Sequence, residues 1–309
     1  MSAGVVAIVG AGTIGSGWAT AFALKGWRTV LYDPSGAQAE GAAAAVAAAL
    51  RTAAGDPLDS ELGSCMRADT LERALAGVDF VQESAPDNLE VKRELLASVS
   101  RALPLTVPIA SSTSAFPPSE LMRSVPDSQR LLVGHPFHPV HLIPLVEVVG
   151  GPGTDEDTIN QAVKVYESIG KVVIRLRREC TGHLVNRLQA ALFREATYLI
   201  AEGVATVQDI DRGIAYGPAL RWPLTGVFTT WHLAGGRGGI HEYMEKLGPS
   251  IELLWRSLGD ARLSKEIRDI IERQIAATSG TRSPEEGSIV RDRLLVELTE
   301  WLAARERLV

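Results

Sequence analysis

Glu147 stands in the run Leu145-Val146-Glu147-Val148-Val149, with apolar residues on both sides. A carboxylate in such a strand is costly to bury unless it is paired. His135 lies twelve residues upstream, in Gly134-His135-Pro136-Phe137-His138-Pro139-Val140-His141, within reach if the chain makes a tight return. Pairing would fix the imidazole tautomer and raise its basicity, which suits a general base. The same segment puts three histidines in seven residues, so a metal has to be weighed. Spacing of three in a proline-broken loop does not converge side chains as a helical i, i+4 pair does, and the stretch holds no Cys or Asp. No metal is expected, and His138 and His141 read as structural histidines.

A second cluster sits at the start of the chain. Gly10-Ala11-Gly12-Thr13-Ile14-Gly15 follows the apolar run Val5-Val6-Ala7-Ile8-Val9 and opens a helical pattern over 14–25. Gly10 permits the tight turn, Gly12 lets backbone approach a pyrophosphate, and Gly15 lets helix pack closely on sheet. Thr13 and Ile14 begin the helix, where unpaired N–H groups favour phosphate. Asp33 closes the next strand eighteen residues after Gly15, where its carboxylate can accept both ribose hydroxyls. It would repel a 2′-phosphate, and Pro34-Ser35 offers no arginine, so the cofactor expected is NAD rather than NADP. A plain strand–turn–helix without ligand is the bland alternative, and nothing supplies a second flavin contact.

The elements that must hold these groups alternate. Further strands are expected near 29–32, 79–83, 108–111, 130–134, 145–149 and 171–176, with helices between, including an alanine-rich one up to the breaker Gly55-Asp56-Pro57. That pattern implies α/β architecture: a Rossmann-type doubly wound parallel sheet covered on both faces. From about Gly182 the β signals vanish, and helical periodicity runs over 184–202, 207–215, 239–247, 265–277 and 286–305. We therefore expect a dinucleotide-binding domain over 1–181 and an all-α substrate-binding and dimerisation domain over 182–309. The serines Ser111-Ser112-Thr113-Ser114 follow a strand, where open sheets bind ligands.

With 309 residues, 46% hydrophobic and 22% charged, the chain reads as an ordinary globular protein large enough for two domains. A net charge of −6 gives no general attraction to nucleic acid, and no basic run suits an anionic membrane. The longest apolar stretch, 42–50, is too short to span a bilayer. Cys65 and Cys180 form no CxxC pair, and the first residues lack a basic leader, so a cytoplasmic protein is expected. The many apolar positions of the second half suggest a homodimer.

The glycine turn, ASSTSAFPPSEL, GHPFHPVHLIPLVEVVGG, GHLVNRLQ and EGVATVQDIDRGIAYGPALRW occur in this order over nearly the whole chain. In this the sequence resembles the 3-hydroxyacyl-CoA dehydrogenase superfamily, whose members carry H-x-x-N-P…L-V-E-V, S-x-T-S and G-F-x-x-N-R. The resemblance implies that His135 is the catalytic base and Glu147 its partner. It implies that Ser114 and Asn186 hydrogen-bond the substrate oxygen, and that Asp87 and Lys92 contact the cofactor. Taken alone, Ser114 would read as a turn residue and Asn186 as a helix-start polar residue. Two positions depart from the pattern: His138 replaces the asparagine before proline, and His183 the phenylalanine before the helix.

The segment Gly217-Pro218-Ala219-Leu220-Arg221-Trp222-Pro223 resembles the free-acid branch, which includes carnitine and gulonate (lambda-crystallin) dehydrogenases. Arg221 can grip a free carboxylate bidentately, a group that a thioester lacks. Trp222, Phe228 and Trp231 suit an aromatic cage for a quaternary ammonium, or simply core. The expected activity is oxidation of a small L-3-hydroxy acid. The alternatives are a short-chain 3-hydroxyacyl-CoA substrate, with Arg51, Arg67 and Arg73 as the few cations for CoA phosphates, or a dinucleotide sensor without activity.

Overall fold

A computed structural model of the chain describes residues 4–53, 62–278 and 283–305. The chain forms two compact units, Met1–Arg187 and Leu188–Val309. The division falls inside the helix Val185–Ala201, a little beyond the sequence boundary at Thr181.

The first unit is built on one eight-stranded sheet. Its strands are β1 (Val5–Val9), β2 (Arg28–Tyr32), β3 (Ser64–Arg67), β4 (Phe80–Glu83), β5 (Ile109–Ser111), β6 (Leu131–Pro136), β7 (Leu145–Gly150) and β8 (Val172–Arg175), in the order β3-β2-β1-β4-β5-β6-β7-β8. The first six pair in parallel. The expected Rossmann-type sheet is present, with one reversal: β7 runs antiparallel to β6, and β8 follows β7 in parallel. The eight residues 137–144 between β6 and β7 are too few for a crossover, so the chain has to return beside itself. That return sets His135 directly opposite Glu147.

Helices α1 (Thr13–Ala23), α2 (Gly36–Ala53), α3 (Leu71–Leu75), α4 (Leu89–Ala102), α5 (Pro118–Met122) and α6 (Glu156–Ser168) connect the strands. Strand β1 shows why both faces are covered: Val6 and Ile8 join a core with Trp18, Phe22, Val46 and Tyr166, while Ala7 and Val9 join one with Leu75, Leu96, Val99 and Leu121. Each fully buried aliphatic of this kind contributes about 1.5–3 kcal/mol. Edge strand β3, with three of its four residues exposed and the fourth half-buried in the sequence Ser-Cys-Met-Arg, carries no apolar alternation and was not anticipated. Nor were the short helices α3 and α5. The breaker Gly55-Asp56-Pro57 lies outside the described residues.

Helix α7 (Val185–Ala201) runs into the second unit, which contains α8 (Val207–Tyr216), α9 (Trp222–Ala234), α10 (Gly239–Ser257), α11 (Lys265–Thr278) and α12 (Pro284–Ala303). Two of these differ from expectation. Helix α9 was hidden by Pro223 in its first turn and by Gly226, whose backbone (φ 65°) kinks it. Helix α10 continues past Leu247 because Pro249 forfeits one backbone hydrogen bond without ending the helix. No helix among the described residues is long and apolar enough to cross a membrane.

Candidate active site

The first unit holds a cleft of about 800 Å³ that runs from Tyr32 and Asp33, past Gly10, Gly12, Thr13 and Ile14, to Ser84, Asp87, Lys92, Ser112, Ser114 and His135. The three glycines of the turn have different reasons to be glycine. Gly10 takes a left-handed backbone (φ 104°), and a Cβ there would lie 2.6 Å from the Ser84 carbonyl group. A Cβ on Gly15 would strike the Gly10 carbonyl oxygen at 1.8 Å. Among the described residues nothing constrains Gly12: the nearest neighbour of a Cβ there would be Gln38 Nε2, at 3.5 Å. What a side chain at 12 would obstruct is the cleft itself. Because Gly12 caps α1 without a side chain, the first N–H groups of the helix face that space unpaired.

Asp33 anchors the turn. Its Oδ2 accepts from Ala11 N–H and its Oδ1 from Ser35 N–H, both at 2.8 Å. Each oxygen keeps a lone pair, enough for one ribose hydroxyl apiece.

At the other end, His135 Nδ1 lies 2.8 Å from Glu147 Oε2, and the carboxylate is fully buried. Its second oxygen, Oε1, accepts the N–H groups of Leu184 and Val185 where α7 begins, each at 2.9 Å. Burial pushes the Glu147 carboxyl up, but the imidazole and these two N–H groups together outweigh it and hold the carboxyl below its ordinary value. An ionised acceptor at Nδ1 requires the proton on Nδ1, so Nε2 carries the lone pair. Asn186 Nδ2 approaches that lone pair at 3.4 Å and the Ser114 carbonyl oxygen at the same distance. Ser114 donates its hydroxyl to Asp87 Oδ2 at 2.7 Å, as does its backbone N–H at 3.0 Å, while Thr113 Oγ1 donates to Asp87 Oδ1 at 2.6 Å. Ser114 therefore offers lone pairs, not a proton, to anything placed beside it.

The structure thus brings His135, Glu147, Ser114, Asn186 and Asp87 together, and sets the glycine turn and Asp33 along the same cleft. Lys92 also lines the cleft, yet its ammonium is buried against Glu83 Oε1 at 2.8 Å and the Ala85 carbonyl at 2.9 Å. His138 and His141 are both exposed, on the return between β6 and β7. Lys171 clamps this return, donating to the carbonyls of Val140 and Ile143, and burial pushes its ammonium down to about 8. His183 is fully buried, and its ring centre lies 5.1 Å from that of His135. Its Nε2 meets the Thr113 carbonyl at 2.9 Å, and burial, first among several influences, lowers its pKa, so it stays neutral. Arg221 is exposed in the second unit, immediately before Trp222 opens α9. Trp231 stacks on Tyr243 at 5.1 Å.

Sequence reasoning missed a polar group beneath the cleft: Gln82, Ser84, Ser112, Trp18 and Tyr166. The signal was present in Phe80-Val81-Gln82-Glu83, where an amide lies inside an apolar strand as Glu147 does in its own.

A dinucleotide cleft that ends at an imidazole with an outward lone pair is the arrangement of a dehydrogenase. The chain belongs to the 3-hydroxyacyl-CoA dehydrogenase family: the family's NAD binding domain matches residues 5–180 and its C-terminal domain residues 182–267. It is accordingly an NAD-dependent oxidoreductase acting on a CH–OH group. The chain is 43% identical over 296 residues to an L-carnitine dehydrogenase of Streptomyces coelicolor, covering 95% of this chain and 93% of that one. It is 41% identical over 308 residues to one of Nocardiopsis dassonvillei, covering 98% and 92%. Among solved structures, an NAD+-dependent 5-formyl-3-hydroxy-2-methylpyridine 4-carboxylic acid 5-dehydrogenase matches with a TM-score of 0.82 at 25% identity, over 98% of this chain and 100% of that one.

Proposed function

We propose that the protein oxidises the 3-hydroxyl of a small free L-3-hydroxy acid to the 3-keto acid, with L-carnitine the first candidate and L-gulonate the second. The observation that carries the proposal is the outward Nε2 lone pair of His135, held by Glu147 at the end of the cleft. NAD held in the cleft would supply the acceptor for the hydride at C3. His135 takes the hydroxyl proton at Nε2, and Glu147 stabilises the imidazolium that forms. Asn186 Nδ2 donates to the substrate oxygen as negative charge develops on it. Ser114, its hydroxyl turned to Asp87, holds Asn186 through its backbone carbonyl and so helps to aim that donor at the substrate oxygen.

Two relatives named L-carnitine dehydrogenase support the free-acid substrate. Arg221 is the residue we assign to the carboxylate, with Trp222 beside it for the apolar or cationic end. The exposed Leu253, Leu254, Trp255 and Phe228 of the helical unit support a homodimer, and the ordinary charge and reduced cysteines a cytoplasmic enzyme. The test follows NADH absorbance at alkaline pH with L-carnitine, L-gulonate, 3-hydroxybutyrate and 3-hydroxybutyryl-CoA. Turnover of one of the free acids is expected. Turnover of the CoA ester alone would reject the proposal.

A further inference from the structure

Gln82 is a fully buried amide whose surroundings leave it one orientation. Tyr166 donates its hydroxyl to Oε1 at 2.6 Å, and burial pushes that phenol well above its ordinary value, so it keeps its proton. Nε2 donates to the Gly134 carbonyl at 3.3 Å and to Ser112 Oγ at 2.7 Å. A flipped amide would set its oxygen against that carbonyl oxygen, a repulsion with no compensation.

The next link is forced by counting lone pairs. Ser112 Oγ accepts from Gln82 and also, at 3.1 Å, from Trp18 Nε1, which can only donate. Both of its lone pairs are then occupied, and its own proton goes to Ser84 Oγ, 2.9 Å away. Ser84 accepts there, and its own proton has no acceptor among the described residues. Ser84 and Ser112 both line the cleft, and the Ser84–Ala85 peptide packs against Gly10. In the strand order β2-β1-β4-β5-β6, Asp33 and the glycine turn follow β2 and β1, Ser84 and Ser112 follow β4 and β5, and His135 lies in β6, so this chain of donors sits on the base side of the turn.

We propose that Ser84 presents an O–H donor to an uncharged oxygen in the nicotinamide riboside half of the cofactor, its direction set by the Tyr166–Gln82–Ser112 chain behind it. The inference rests on NAD occupying the cleft with its adenosine at Asp33. The neighbouring cation, Lys92, turns its ammonium to Glu83 and the Ala85 carbonyl, which leaves Ser84 to an uncharged acceptor such as a ribose hydroxyl or the carboxamide carbonyl. Ser84 is a cofactor-binding residue in this reading, and Gln82, Ser112 and Tyr166 are positioning residues.

The test is calorimetric titration of wild type, Ser84→Ala and Ser84→Thr with NADH, ADP-ribose and ADP, alongside melting curves without ligand to establish folding. Losing one neutral hydrogen bond should raise the Kd for NADH about three- to tenfold in Ser84→Ala. Binding of ADP should not change, and Ser84→Thr should bind NADH as wild type does. An equal loss with ADP-ribose assigns the acceptor to the ribose; no loss with ADP-ribose assigns it to the carboxamide. Ser112→Ala should weaken NADH similarly, and the double variant should lose little more than either single one. Unchanged NADH affinity in Ser84→Ala, or an equal loss for ADP, would overturn the proposal; additive losses would overturn the chain behind it. If wild type bound ADP but not NADH, the cofactor reading itself would fall, and this inference with it.

Discussion

Two glutamates of the same sheet are equally buried and differently employed. Glu83 ends β4, and Glu147 lies in the middle of β7; neither has any exposed surface. Each accepts backbone N–H and one charged or chargeable partner. Glu83 takes the ammonium of Lys92, the hydroxyl of Ser111 and the N–H of Ala85. Glu147 takes the imidazole of His135 and the N–H groups of Leu184 and Val185. What separates them is the partner. Lys92 turns its protons inward to Glu83, Ala85 and, more distantly, Asp87, whereas His135 gives one nitrogen to the carboxylate and leaves the other facing Asn186 and the cleft. Buried charge in a protein thus serves either as foundation or as tool, and the difference is whether the partner keeps an atom free.

The sharpest test of that contrast is His135→Ala. Turnover should fall by about a thousandfold, within the usual reach of general-base catalysis, while NADH affinity stays within about twofold. Undiminished turnover would erase the distinction between the two pairs. Next in size is Lys92→Met, which strands the Glu83 charge in the interior and should lower stability by about 3–5 kcal/mol in urea denaturation. A variant as stable as wild type would show that Glu83 does not depend on its cation. The smallest effect expected is from Glu147→Gln. An amide can donate to Nδ1, which would move the ring proton to Nε2 and remove the base, so turnover should fall by about a hundredfold. The same variant checks the pH dependence. Because the folded Glu147 carboxyl lies below its ordinary value of 4.5, its contribution is complete above that value and is lost as pH falls through the depressed one. The stability margin of wild type over Glu147→Gln should therefore shrink only under acid. A margin that is constant across that range would mean the carboxylate is not what holds the pair.

The parts of this site that could be read in the sequence are those where one residue is out of place in its own segment. Glu147 among valines, Asp33 closing a strand and three glycines in a turn each announce themselves within a few positions. The Rossmann-type first half followed by helices was legible for the same reason, since apolar runs and helical periods are local. Asp87 holding Ser114 was not legible, because the two lie 27 residues apart and only the sheet makes them neighbours. The Tyr166–Gln82 bond spans 84 residues. Strand β3 and helix α9 escaped because an edge strand needs little apolar patterning and because Pro223 and Gly226 mask a helix. The reversal of β7 followed from a length, the short return after β6, more than from any residue type.

Gly134 links the two polar assemblies in a way that bears on how this enzyme can be altered. A Cβ there would lie 1.8 Å from the Tyr166 hydroxyl, the backbone carbonyl is the acceptor for Gln82, and the next residue is His135. Any side chain at 134 would disturb the strand that carries His135 and the Tyr166–Gln82 bond in one stroke. In evolutionary terms the position is a frozen joint: a lineage drifting toward new substrates, or a laboratory library built for the same end, has to find its variation elsewhere.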